Sequence, residues 1–239
     1  PKGIWLSVFH SVSAFCNAGF DLMGEKEPFS SLTAYSSQPF VNFILMALIV
    51  VGGIGFLTWD DIGKNKLRFR KYRMQSKVIL TVTAFLIVVP AVLLFFFEFS
   101  SLPMGKRLLC SIFQAVTPRT AGFNTVDLTA ISQSGQMMII FLMLVGGSPG
   151  STAGGMKTTT IAVLASTALS VFSKKEHTHF FKRRVAEDTI RHAATILLMY
   201  IFLFVGGGMI ISLIEHLPLL TCLFETASAI GTVGLSLGI

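Results

Sequence analysis

Charge is scarce in this sequence: Asp, Glu, Lys and Arg make up 13% of it, and hydrophobic residues 52%. A soluble domain needs more polar surface than that to cover its exterior. Cysteine is scarce as well. Cys16, Cys110 and Cys222 stand far apart with no CxxC pair, which leaves neither a disulfide framework nor a zinc site. The five His form no ligand pair at helical spacing within an apolar run. His177 and His179 fall in a basic stretch and read as solvated. With no acid–base or metal constellation in view, no catalytic residue and no enzyme are expected.

What the chain does have is long apolar runs. Residues 40–58, 78–97 and 193–214 carry no charge, and about 20 such residues cross a hydrocarbon core. None is a short N-terminal run with a small-residue cleavage site, so none reads as a signal peptide. The net charge of +7 is concentrated: seven basic residues lie from Lys64 to Lys77 and six from Lys174 to Arg191, 13 of the 19. Both clusters are short loops between apolar runs, the positive-inside pattern, which places them in the cytoplasm. Lys2, Lys26, Lys106, Arg107 and Arg119 fall on the outside. The basic loops are also suited to anionic lipid or an acidic partner surface; no nucleic-acid partner is expected.

Three segments align without gaps: "FHSVSAFCNAGFD", "IFQAVTPRTAGFN" and "FETASAIGTVGLS". Their shared glycines, Gly19, Gly122 and Gly234, stand 103 and 112 residues apart, and twelve residues before each lies a small residue: Ser7, Cys110 and Cys222. Such repetition sets an architecture. In the middle copy a half-length apolar segment, 104–116, ends just before the glycine. A segment that short enters the membrane and returns, and non-helical backbone at that depth must line a wet cavity or be buried in protein. Each copy therefore reads as helix, re-entrant pore helix, extended loop, helix, dipping from the outer face.

The stretch 137–172 spans 36 residues and is interrupted by "GGSPGSTAGGMKTTT". Six Gly and Pro residues within ten positions oppose a helix, so the span is expected to break inside the membrane and face an aqueous cavity. "GSTAGGMKT" approaches the phosphate-binding GxxxxGK[ST], but Met156 intrudes before Lys157 and no strand precedes it, so nucleotide hydrolysis is not expected.

"TVGLS", 232–236, has the form of a potassium selectivity loop. Rings of backbone carbonyls replace the water of a naked cation, Gly permits the required dihedrals, and the preceding short helix turns its negative end to the same place. The bland alternative is that the glycines let helices approach. That suffices for Gly52, Gly53 and Gly55 and for Gly206, Gly207 and Gly208. It does not account for three half-length segments ending in the same glycine.

Together "SVSAFCNAGFD", "FQAVTPRTAGFNT", "GGSPGSTAGGMKTTT" and "FETASAIGTVGLS" resemble the membrane subunits of the Ktr/Trk/HKT superfamily of potassium transporters, the bacterial KtrB type above all. The resemblance spans essentially the whole chain. It implies four helix–pore–helix repeats around one central pore, in an all-α integral membrane protein. This chain holds an incomplete set: residues 1–63 as the end of repeat two, 64–173 as repeat three and 174–239 as the start of repeat four. Three filter loops do not close a ring of four, so a fragment of a protein nearer twice this size is expected. The filter positions are Asn17, Ala18, Gly19 and Phe20; Thr120, Ala121, Gly122 and Phe123; and Thr232, Val233, Gly234 and Leu235. The resemblance assigns an intramembrane gate to Gly146, Gly147, Ser148, Pro149, Gly150, Ser151, Thr152, Ala153, Gly154, Gly155, Met156 and Lys157.

It further implies potassium as the permeant ion, with sodium as an accompanying ion. The expected partners are a second protomer in a homodimer, a cytosolic nucleotide-binding regulatory ring of the KtrA type, and the bilayer of the plasma membrane. Two rivals stand beside this reading: the potassium-translocating subunit of an ATP-driven pump, and a sodium-permeable or sodium-coupled transporter. A secondary transporter with broken helices predicts inverted repeats, whereas these run in one orientation. Two roles are open to Lys157, a barrier to cations or snorkelling to the inner surface. Arg119 and Glu225 read as buried or outer-mouth hydrogen bonds that hold their loops' shape, with filter tuning as the alternative. Asp21, Asn124 and Asp127 either draw cations to the mouth or cap local turns.

Overall fold

The computed structural model describes residues 2–24, 30–66, 68–175, 177–181 and 183–238. Lys26, Lys182 and the side chain of Lys2, all assigned to loops above, lie outside it. In chain order the elements are α1 (Lys2–Phe15), α2 (Pro39–Gly53), α3 (Phe56–Asn65), α4 (Met74–Leu93), α5 (Met104–Val116), α6 (Gln133–Leu144), α7 (Thr158–Phe172), a two-stranded hairpin β1 (His179–Phe180) and β2 (Arg183–Arg184), α8 (Glu187–Glu215) and α9 (Leu219–Gly231). Their boundaries follow local chemistry. Pro39 opens α2, where a missing N–H costs nothing. The Ser132 hydroxyl accepts the Gly135 amide to cap α6.

Among the described residues, two helices are long and apolar enough to cross a membrane: Met74–Glu98, which is α4 continued through a π turn, and α8. Pro90 sits buried inside the first of these without ending it. Helices α1, α5 and α9, with 14, 13 and 13 residues, are about 20 Å long, short of the ~30 Å hydrocarbon core. The apolar halves α6 and α7 are separated by residues 145–157, where no helix forms.

One expectation is corrected. Residues 40–58 do not form a straight span. Helix α2 ends at Gly53, and α3 leaves it at 99°. The turn needs Gly55, at φ +89°, where a β-carbon would lie 2.6 Å from Pro149 O. The carbonyls released at Gly52 and Gly53 accept the amides of Thr152 and Ser148 at 3.3 and 3.0 Å, and Phe56 N donates to Gly150 O at 2.9 Å. The partners that stabilise the bend come from a segment some hundred residues downstream.

Packing repeats as the sequence does. Helix α1 lies on α2, α4 on α5 and α8 on α9, while α2 also meets α5 and α6 meets α9. One core joins Leu45 and Ile49 of α2 to Ala14, Phe113 and Phe123; another joins Ile139 and Met143 of α6 to Phe224, Ala227 and Val233. Each wedges a short helix against the inner helix preceding it. Glycines in α8 let α9 come close, since β-carbons on Gly207 and Gly208 would lie 2.9 Å from Thr226 and 2.6 Å from Leu223. The other side of α8 exposes Leu198, Phe202 and Leu213, a surface suited to lipid.

Candidate functional site

The three short helices end on three loops that meet. In each loop the shared glycine and the residue two before it have positive φ: Asn17 (+50°) and Gly19 (+71°), Thr120 (+67°) and Gly122 (+82°), Thr232 (+54°) and Gly234 (+90°). The residue between them does not. This alternation of φ sign sets the three loops apart from a uniform strand. The loops touch in sequence. A β-carbon on Gly19 would lie 2.3 Å from Ala121 O, and one on Gly122 would lie 2.2 Å from Val233 O. All three glycines line one open cavity of about 700 Å³. Flanking residues Ala121, Phe123, Val233 and Leu235 are buried, whereas Phe20 is 70% exposed.

Each loop is fastened to the end of its own helix. The Ser13 hydroxyl donates to Phe20 O at 2.8 Å, the Thr117 hydroxyl to Phe123 O at 2.5 Å, and Gly234 N donates to Ser228 Oγ at 3.1 Å. Glu225 Oε1 accepts from Leu237 N at 2.6 Å and from the Ser236 hydroxyl at 2.9 Å. It shapes the loop beyond Gly234. His10 does the same for the first loop: Nε2 accepts from Leu22 N at 3.4 Å while Nδ1 meets Leu6 O at 2.7 Å. The sequence reading missed His10. Its signal was the register, nine residues before Gly19 as Glu225 is nine before Gly234.

Arg119 is not an outer-loop charge, which corrects its assignment above. It is 5% exposed, shielded between helices. Its Nη2 donates to the Thr83 hydroxyl at 3.3 Å, and its main-chain oxygen accepts from Asn17 Nδ2 at 3.5 Å.

The glycine-rich loop docks on the side of these three loops away from that cavity. It is pinched at its base, where Gly146 N donates to Met156 O at 2.9 Å and Gly147 N to Gly154 O at 3.2 Å. Ser148 and Thr158 join hydroxyls at 3.1 Å. Its tip reaches two filter loops. Thr152 Oγ1 donates to Phe15 O at 3.0 Å and Asn17 Oδ1 at 2.8 Å, and a β-carbon on Gly154 would lie 1.9 Å from Thr232 Oγ1. Lys157 is half-buried, and its ammonium donates to Ala153 O at 2.7 Å. It closes its own loop.

At the outer mouth the turn-capping and cavity-lining roles coincide. Asp21 Oδ1 accepts the Met23 amide, Asn124 donates to Val126 O, and Asp127 Oδ1 accepts the Thr129 hydroxyl and amide at 2.7 and 2.9 Å. Asp21, Asn124 and Asp127 all line the 700 Å³ cavity. The Thr129 hydroxyl holds the Asp127 carboxyl below its ordinary range, so it stays anionic through neutral and mildly acidic pH. Asp127→Asn is expected to weaken monovalent-cation binding at this cavity about twofold at low ionic strength, and the effect should fade at high salt, as screening requires. Rubidium binding at two salt concentrations checks this.

The chain matches the family profile described as "Cation transport protein" (TrkH) over residues 2–239. It is 39% identical over 247 residues to the potassium/sodium uptake protein NtpJ of Enterococcus hirae, covering 100% of this chain and 53% of the relative. It is 35% identical over 244 residues to the Ktr system potassium uptake protein B of Bacillus subtilis, covering 100% and 54%. The chain thus spans about half the length of the curated relatives it matches. It shares its fold with the crystal structure of the potassium transporter TrkH from Vibrio parahaemolyticus, at TM-score 0.77 and 18% identity, covering 95% of this chain and 49% of that one.

Proposed function

Since the chain belongs to the TrkH family of cation transport proteins, a family of membrane transporters and not of enzymes, we propose that it forms part of a potassium-conducting pore. Ions pass down their electrochemical gradient across the plasma membrane. They enter through the cavity lined by Asp21, Asn124 and Asp127. They shed water onto the carbonyls of 17–20, 120–123 and 232–235, and leave past the glycine-rich loop. The observation that carries this reading is the contact of Gly19 with Ala121 and of Gly122 with Val233, each glycine at positive φ. It puts three like loops side by side, as quadrants of one ring would be. The division at 1–63, 64–173 and 174–239 follows from the same repeat.

Residues 146–157 act as the gate. Their backbone polarity is tolerable at membrane depth only against a wet cavity or buried in protein, and they sit directly below the loops. The two basic loops form one inner face, for Phe69 and Phe181 meet edge to face at 6.4 Å and Lys77 Nζ lies 5.8 Å from the Phe181 ring. That face suits the nucleotide-binding ring of a Ktr system, acting on a homodimer. The likeness to a potassium/sodium uptake protein of Enterococcus hirae favours a second reading, sodium as a further permeant or coupled ion.

Flux from liposomes holding the full-length protein tests the proposal. Potassium and rubidium are expected to pass readily and sodium far less. Equal sodium flux supports the second reading; no cation flux in any gradient overturns both.

A further inference from the structure

The innermost position of each filter loop carries a polar side chain: Asn17, Thr120 and Thr232. The Thr232 hydroxyl abuts Gly154. That of Thr120 is fully buried, with no protein partner among the described residues. Asn17 does more. Its Oδ1 accepts the Thr152 hydroxyl at 2.8 Å, while its Nδ2 donates to Ile49 O of α2 at 3.4 Å and to Arg119 O of the neighbouring filter loop at 3.5 Å. Thr at this position would lack the amide that reaches the last two.

Thr152 is tied on its own side. Its hydroxyl proton is shared with Phe15 O, at 3.0 Å, the carbonyl at the end of the pore helix. Its amide donates to Gly52 O at 3.3 Å. The junction admits no other residue at position 52: a β-carbon there would lie 1.9 Å from Phe15 O, 2.8 Å from Asn17 Oδ1 and 2.9 Å from Thr152 Oγ1. Pore helix, inner helix, two filter loops and the glycine-rich loop therefore meet at one pair of side chains.

We infer that Asn17 and Thr152 form a latch, which holds the glycine-rich loop under the filter and couples its departure to the shape of the filter's inner end. This rests on the reading of residues 146–157 as the gate. Both are positioning residues. When the loop leaves, water takes over the contacts of Phe15 O and Asn17 Oδ1, so only the closed state depends on the Thr152 hydroxyl. Thr152→Val preserves the shape of the side chain but leaves two buried acceptors unpaired in that state alone.

Rubidium flux into liposomes with the full-length protein, without its regulator, reads the latch. Thr152→Val is expected to raise regulator-free flux about two- to tenfold, the population shift that one neutral hydrogen bond sustains. Thr152→Ser, which keeps the hydroxyl, returns it toward the parent value. Asn17→Thr raises it comparably, and the double variant rises no further than the larger single one, as members of one interaction do. A merely structural role moves these differently: each variant lowers flux and melting temperature, and the losses add. Thr152→Val at or below parent flux, or additive effects, overturns the latch while leaving the pore intact. A parent protein that passes no cation overturns the pore and the latch together.

Discussion

Gly122→Ala is expected to cut potassium uptake by the full-length protein about 100-fold or more. Two costs coincide. A φ of +82° is strained for an L residue, at about 1–2 kcal/mol. The new methyl would lie 2.2 Å from Val233 O and 3.3 Å from the Cα of Gly19, so it pushes on the loops to both sides, and overpacking of this kind costs about 1–3 kcal/mol. Uptake assays in potassium-limited cells, with expression checked, read the loss; uptake near the parent level contradicts the packing of the three loops.

The second large effect runs the other way. Removing residues 148–155 is expected to raise potassium flux about tenfold in the absence of a regulator, while leaving the rubidium-to-sodium ratio unchanged. The chain permits the deletion because the base of the loop is already closed. Val145 and Met156 bridge, and Gly146 N donates to Met156 O at 2.9 Å. Selectivity should survive because the filter loops are fastened to their own helices through Ser13, Thr117 and Ser228, none of which belongs to the deleted segment. What is lost is the plug, together with the amides that hold the α2–α3 bend. Flux unchanged or abolished contradicts the gate assignment.

Periodicity and turn chemistry made much of this legible beforehand. Residues 104–116 were readable as a half-length helix because an apolar run too short to cross has nowhere to end but inside the membrane, and α5 has those bounds. The break after Leu144 was readable from six Gly and Pro residues. The bend at Gly55 was not. Gly52, Gly53 and Gly55 look like ordinary close-approach glycines, and only the amides of Ser148 and Thr152, folded back from far along the chain, make the turn favourable. Positive φ at Asn17, Thr120 and Thr232 was equally invisible, since no local rule places two Thr in the left-handed region. Arg119 looked external because an isolated Arg beside a loop is normally solvated; its burial against Thr83 comes from the packing of α4 on α5.

The most direct test is a density map of the full-length protein prepared in rubidium, read for anomalous signal. The account predicts a peak on the axis enclosed by the main-chain oxygens near Gly19, Gly122 and Gly234, above the level of Thr152 and Gly154. An axis without signal, or rubidium bound only at the carboxylates of Asp21 and Asp127, contradicts it.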